Sequence, residues 1–400
     1  MFERLERMPP DPILGLMAAF RADPDARKVD LGVGVYRDDR GDTPVLDAVR
    51  RAESAMLGRQ TSKTYVAPAG NAGYNQSMER LVFGDDHPTL QADRIRTIQA
   101  PGGCGALRVG AELIKLAYPE AIVHVSTPTW ANHVPLLTGS GIKLERYPYY
   151  DGATGGVNFG AMIETLEKLP SRSVLLLHAS CHNPTGADLS EAQWREVLAL
   201  VQRRGLIPYI DMAYQGLGTG IAPDAFGPRL FAKELPEVLV AVSCSKNFGL
   251  YRERTGVLHV VSQSVDASDT VLTQLVRIAR TIYSMPPDHG AAIVHEILSN
   301  DALRQSWLDE VGSMRTRITN LRRDLVARLA KSCPLRDFSF IERQRGMFSF
   351  LGVNKDQVTA LRERHHIYMT DDSRINIAGL RIDNIGYFAD SVAQVLAASK

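Results

Sequence analysis

Several things are scarce in this 400-residue chain. There are four cysteines, Cys104, Cys181, Cys244 and Cys333, and no two form a C-x-x-C pair, which argues against a structural zinc site or a disulfide framework. A reducing cytoplasm is the compartment such a chain suits. Excess charge is missing too: 46 basic residues against 45 acidic ones leave +1, so no nucleic-acid footprint or membrane-binding field is expected. No apolar run reaches the roughly 18 residues of a membrane helix. The opening "MFERLERMPPDPILGLMAAF" has no basic segment followed by an unbroken apolar core, so it is not read as a secretory signal. No internal repeat and no low-complexity linker interrupts the chain.

The 44% hydrophobic content is that of an ordinary globular protein, and the length suits one large domain with a smaller one. The middle of the chain alternates short apolar runs with helical periodicity. "RIRTIQ", "AIVHVS", "IKLERYP", "SVLLLHA", "LIPYID", "EVLVAVS" and "GVLHVVS" read as strands. Near-continuous apolar strands separated by helices predict an α/β fold with a mainly parallel seven-stranded sheet covered on both faces. "PGGCG" reads as a turn, and Ser190 and Gly205 as the start and stop of a helix. A helical pattern over 301–331 is long enough to bridge two domains. "GMFSFLGV" and "RINIAGL" read as strands of a smaller α+β domain. The expected division is an N-terminal arm contributing to the small domain (1–40), a large domain (41–304) and a C-terminal small domain with the bridging helix (305–400).

In sheets of this kind ligands sit beyond the carboxyl ends of the strands. Gly103 and Cys104, Trp130, Asn183, Asp211 with Tyr214, and Ser243, Ser245 and Lys246 all fall there. A lysine at an interior strand end is either a snorkelling surface residue or an amine whose pKa is lowered by burial and by a nearby cation such as Arg254. The glycine-rich turn before a helix is either a tight turn or an anion cradle that Ser243, Ser245 and Arg254 complete. As a dinucleotide fingerprint it is weak, because Arg108 stands where the third glycine belongs. Asp211 could form a turn or pair with a protonated ring nitrogen, and Trp130 could be core or a stacking surface. Together these residues make a short list for pyridoxal 5′-phosphate: a partner for its aldehyde, its phosphate, its ring nitrogen, its phenolic oxygen and its ring face.

The segment "SCSKNFGLYRERTG" closely resembles the lysine segment of the aspartate and aromatic amino acid aminotransferases, the class I, fold type I pyridoxal-phosphate enzymes. "DPILGLMAAFRADP", "GGCGALRVGAEL", "CHNPTGADL", "DMAYQGLG" and "RINIAGL" resemble that family's other motifs, in its order. The resemblance implies that Lys246 carries the cofactor as a Schiff base and moves the proton, while Asp211, backed by His133, keeps the ring nitrogen protonated. Tyr214 and Asn183 would bond the phenolic oxygen, and Trp130 would stack on the ring. Gly103, Cys104, Ser243, Ser245 and Arg254 would hold the phosphate, with Tyr65 reaching it from a second subunit. Arg374 would clamp the substrate carboxylate beside Gly34, Trp130 and Asn183, and Arg280 of the second subunit would meet a side-chain carboxylate. A homodimer with shared sites follows, acting on amino acids and 2-oxo acids, with no metal.

Two departures bear on ligands. Cys104 stands where the family usually has Ser or Thr, and a thiol donates hydrogen bonds less well, so slightly weaker cofactor binding is expected. Met285, Ile282 and Thr64 occupy positions that are often amides in the aspartate branch. With Arg280, Val35, Arg37 and Thr43 they imply dual specificity for tyrosine, phenylalanine and aspartate, with 2-oxoglutarate and glutamate as the common partner. The alternatives are a strict aspartate aminotransferase and, more distantly, a pyridoxal-phosphate lyase, racemase or decarboxylase. A nicotinamide dehydrogenase and a cofactor-binding regulator rank below these.

Overall fold

The structure, a computed structural model, describes residues 1–7 and 12–398. Asp11, which opens the first of the motifs above, lies outside them. No helix among the described residues is long and apolar enough to cross a membrane. The chain divides into two compact units, one of Pro44–Thr316 with Gln344–Gly346, the other of Met1–Thr43, Arg317–Arg343 and Met347–Lys400.

The larger unit is built on seven strands: β1 Ile95–Pro101, β2 Ile122–Thr127, β3 Lys143–Pro148, β4 Val174–His178, β5 Ile207–Met212, β6 Val238–Ser243 and β7 Thr255–Val261. Their order across the sheet is β1-β7-β6-β5-β4-β2-β3. β7 alone runs antiparallel to its neighbours, with Gly256 opposite Ser243 and Thr255 opposite Pro101. The other pairs are parallel, and their register sets His178 beside Asp211 and Asp211 beside Ala241. The seven-strand expectation therefore holds.

Helices of this unit include α1 Gly102–Ala117, α2 Glu191–Arg204, α3 Val265–Ile282, α4 Asp288–Ser299 and, as far as Thr316, α5 Asp301–Ser332. One face of the sheet packs against α1. Leu107, Leu113 and Ile114 join Val125, Leu176, Tyr209, Leu258 and Val260 in one buried cluster. Each such side chain contributes about 1.5–3 kcal/mol on burial. Gly110 lets helix and sheet approach, because a Cβ there would lie 2.3 Å from the Tyr209 hydroxyl. That hydroxyl instead donates to the Leu107 carbonyl at 2.7 Å. Side chains alternate along β7, so His259, between Leu258 and Val260, faces the other side and meets the Phe83 ring edge-on at 5.3 Å.

α2 starts where its sequence says. Ser190 Oγ accepts from the Gln193 amide, the Gln193 side chain accepts from the Ser190 amide, and Gly205 ends the helix at φ +63°. "PGGCG" departs from expectation, since it is the first turn of α1 and not a separate turn. Gly102 takes φ +69°, which lets the chain pass from strand to helix with no loop.

In the smaller unit Phe348–Phe350 pairs antiparallel with Arg374–Asn376, and Val29–Asp30 pairs parallel with Ile367–Tyr368. The buried Arg322 guanidinium donates to the Ile341 and Phe348 carbonyls, each at 2.8 Å, and to Ser349 Oγ at 2.7 Å. The 32-residue α5 begins in the larger unit and belongs to the smaller one from Arg317.

Candidate active site

The carboxyl ends of β4, β5 and β6, the end of β1 and the start of β7 converge on one edge of the sheet, as the register requires. A cavity of about 230 Å³ lies there. Gly103, Cys104, Trp130, Asn183, Asp211, Tyr214, Ser243, Ser245, Lys246 and Arg254 all line it. Every residue named above for the cofactor is thus brought together, apart from Tyr65. Leu107, Ala213 and Tyr251 also line it and were not anticipated.

Lys246 sits three residues beyond β6 and is partly buried. Its ammonium lies 5.0 Å from the centroid of the Tyr214 ring and has no hydrogen-bond partner among the described residues. Burial lowers its pKa below the usual lysine value; Asp211 and Cys104 oppose this, and Arg254 adds to it. The loop that carries it is anchored from behind. The Trp307 indole N–H donates to the Asn247 carbonyl at 2.7 Å, and the Trp307 ring stacks on Phe248 with centroids 4.5 Å apart. The Tyr74 hydroxyl lies 3.3 Å from Cys244 Sγ.

One wall gathers groups that could hold an anion. It combines the N-terminus of α1, the two serine hydroxyls and a guanidinium. Ser243 Oγ donates to Ser245 Oγ at 3.0 Å and accepts from the Ser245 amide at 3.2 Å. Arg254 Nη1 donates to the Tyr251 carbonyl at 2.9 Å, while its Nη2 side faces Gly102 so closely that a Cβ there would lie 2.4 Å away. Glycine is needed for that approach. Asn132 Nδ2 donates to Cys104 Sγ at 3.6 Å.

Asp211 is the next-to-last residue of β5 and is buried. Burial alone would raise its pKa, but the His133 hydrogen bond and the electrostatic pull of its neighbours, Lys246 among them, outweigh that and hold it below its ordinary value. His133 Nε2 lies 3.1 Å from Asp211 Oδ2, and Thr129 Oγ1 lies 2.8 Å from His133 Nδ1. An Nε2–H imidazole donates to the carboxylate and accepts from the threonine. Asn183 Nδ2 donates to the Tyr214 hydroxyl at 3.3 Å, leaving the buried Asn183 Oδ1 without a partner. Trp130 meets the His133 ring edge-on at 5.2 Å.

Two residues behind this site were not foreseen. His178, at the end of β4, lies 5.2 Å from the His133 ring and 4.2 Å from the His182 ring. Burial holds His178 neutral, with its pKa down at about 3. Their only sequence signal is "LLLHASCHNP", in which His178 ends the strand next to Asp211. His133, His178 and Asp211 each offer an atom within 4.8 Å of the others, yet both nitrogens of His133 are already engaged.

The remaining named residues lie elsewhere. Tyr65 is 87% exposed. Arg280, in the last turn of α3, is exposed and donates to Ser284 Oγ. In the smaller unit Arg374 Nη2 donates to the Gly32 carbonyl at 2.7 Å, and its guanidinium lies 4.6 Å from the Phe348 ring centroid. Gly34 faces the same ring, since a Cβ there would come within 3.0 Å of Phe348.

Chemically the cavity offers an amine of lowered pKa, a cradle for a phosphate and an ionised carboxylate suited to a ring N–H. Comparison with known proteins agrees in kind. Residues 26–392 match the family described as aminotransferase class I and II. An aspartate aminotransferase of Pseudomonas aeruginosa is 44% identical over 99% of this chain and 100% of its own. An aromatic-amino-acid aminotransferase of the same organism is 45% identical over 99% of each chain. In structure, the aromatic-amino-acid aminotransferase of Burkholderia pseudomallei, covalently bound to pyridoxal phosphate, superposes with a TM-score of 0.97 at 46% identity over 99% of each chain.

Proposed function

From the premise that this chain belongs to the class I and II aminotransferase family, we propose that it is a pyridoxal 5′-phosphate-dependent aminotransferase serving aspartate and the aromatic amino acids, with 2-oxoglutarate as acceptor. The observation that carries the reading is the pairing, in one cavity, of Lys246 with the anion cradle and with Asp211. The residues fit the cofactor. Gly102 has no side chain to block the guanidinium of Arg254 from the cradle, and Ser243, Ser245 and the α1 amides supply neutral donors to a phosphate.

When bound, pyridoxal phosphate supplies a protonated ring that takes up the electron pair left at the substrate carbon. Lys246 would hold its aldehyde carbon and then carry the proton between substrate and cofactor, a task suited to an amine whose pKa burial has lowered. Asp211, held ionised by His133, would keep the ring nitrogen protonated. Tyr214 and Asn183, already bonded to each other, would donate to the phenolic oxygen. Trp130 would cover the ring face.

Arg374 would take the α-carboxylate, its guanidinium held over the Phe348 ring beside Gly34. Arg280 of a second copy would take a side-chain carboxylate, and Tyr65 of that copy would reach the phosphate; both are exposed in the single chain, as residues awaiting a partner would be. The exposed Phe2 and Leu5 of the N-terminal arm suit the same homodimer. A reducing cytoplasm suits the four free thiols. The apolar Met285 and Ile282 near Arg280 favour dual over strictly dicarboxylate specificity.

The test is kinetic. Wild-type enzyme should turn over both aspartate and phenylalanine with 2-oxoglutarate. Arg280→Leu should lower kcat/KM for aspartate by roughly 30- to 150-fold, the loss of one charged pair, and leave phenylalanine within a few-fold. Phenylalanine turnover near zero beside normal aspartate turnover would leave the strict aspartate reading.

A further inference from the structure

A second cavity lies wholly within the larger unit, at the other ends of the strands that carry the catalytic residues. It encloses about 340 Å³ and shares no lining residue with the cavity of Lys246. Val174 begins β4, whose last residue is His178, and Leu239 lies near the start of β6, whose last residue is Ser243; both line the second cavity. Val271 of α3 and Tyr118, just past α1, close it. The walls are thus apolar, with one aromatic ring.

Two opposite charges interrupt that lining, Arg172 and Glu237. Both are exposed, and neither side chain has an ion-pair or hydrogen-bond partner among the described residues. Their backbones are fixed. The Arg172 amide donates to the Gly205 carbonyl at 2.7 Å, at the left-handed end of α2, and Arg172 itself takes φ +65°. Glu237 directly precedes β6. Val174 is level with Ile207, and Tyr209 with Leu239, so continuing the register puts Glu237 level with Ile207 and Val174. The cation and the anion therefore stand just before the two strands that flank β5.

We propose that this cavity binds a free amino acid with an apolar side chain, branched or aromatic, at a site separate from catalysis. The α-carboxylate meets the Arg172 guanidinium, the α-ammonium meets Glu237, and the side chain enters the apolar volume. The charges select against the simpler ligands. Glu237 repels a fatty or aromatic acid that has only a carboxylate, and Arg172 repels a simple amine. The volume falls within the range of pockets that hold small molecules.

The probe is 2-methyl-leucine, which keeps both charges and the branched body but has no hydrogen on its α-carbon, so it cannot be transaminated. Its binding to the holoenzyme is followed by ligand-observed saturation-transfer NMR and by calorimetry, with and without saturating maleate, a dicarboxylate directed at the catalytic site. Binding should persist in maleate. It should weaken about tenfold or more in Arg172→Asn, since Asn accepts the left-handed backbone, and in Glu237→Gln. It should vanish in Val271→Trp, which fills the cavity. Transamination by Arg172→Asn should stay within twofold of wild type, which shows that the variant is folded. No binding, displacement by maleate, or binding that survives Arg172→Asn overturns the assignment. None of these outcomes depends on which amino acids the catalytic site accepts.

Discussion

Gly102→Ala should uncouple the cofactor while leaving the fold largely intact. Two costs follow from the geometry. Gly102 sits at φ +69°, and an L-residue there costs about 1–2 kcal/mol. The new Cβ would also lie 2.4 Å from Arg254 Nη2 and 2.8 Å from its Cζ, so the guanidinium must swing away. The first cost falls on folding and the second on ligand binding. A charge-assisted hydrogen bond to a phosphate is worth about 1.5–3 kcal/mol, so pyridoxal phosphate should bind roughly 10- to 100-fold more weakly. Absorbance titration of the apoenzyme with pyridoxal phosphate measures this, and urea unfolding measures the backbone cost separately. Arg254→Met should cause a loss of similar size. The double variant should bind little worse than Arg254→Met alone, because both changes remove the same contact. Additive losses, or cofactor affinity unchanged in Gly102→Ala, would refute the reasoning.

Two further outcomes can be checked on stability. His259 is buried with its pKa down at about 3, against roughly 6.5 when unfolded, so the unfolded chain takes up its proton first as pH falls. Its contribution is present above pH 6.5 and is lost on acidification, amounting to about 2 kcal/mol between pH 6.5 and 5. Urea midpoints of His259→Gln should fall less steeply over that interval than those of wild type; an unchanged slope would show that His259 is not buried neutral. Trp307→Phe keeps the stack on Phe248 but removes the 2.7 Å bond to the Asn247 carbonyl. It should cost about 1–3 kcal/mol in urea unfolding, and a change within error would mean that the Lys246 loop has other support.

Much of the larger unit was legible because its strands are short apolar runs bounded by loops and helices, and Ser190 and Gly205 mark their helix by local chemistry. The antiparallel sense of β7 was not, since "GVLHVVS" reads the same in either direction and only its partners set its sense. Gly102 as the first residue of α1 escaped because glycine marks a turn and a left-handed helix start alike. The limit of the larger unit at Thr316 lies inside α5, where no proline breaks the helix and its one glycine, Gly312, is carried within it. In the site, the residues that carry strong chemistry stood out through their motifs. His178 and Leu107 did not, because a histidine closing a strand and a leucine on a helix look like ordinary core until the register sets them against Asp211 and the cavity. The second cavity left no sequence signal at all, because Arg172 and Glu237 lie 65 positions apart and only the sheet brings their strands near each other.

The central claim is that Lys246 holds pyridoxal phosphate. Borohydride makes any lysine–pyridoxal bond permanent, so the holoenzyme can be reduced, digested and its peptides weighed. The peptide containing Lys246 should carry the added pyridoxyl phosphate mass, at a level matching the cofactor content, and Lys246→Ala should carry none. A label on a different lysine, or no label on protein that retains the cofactor, would contradict the account.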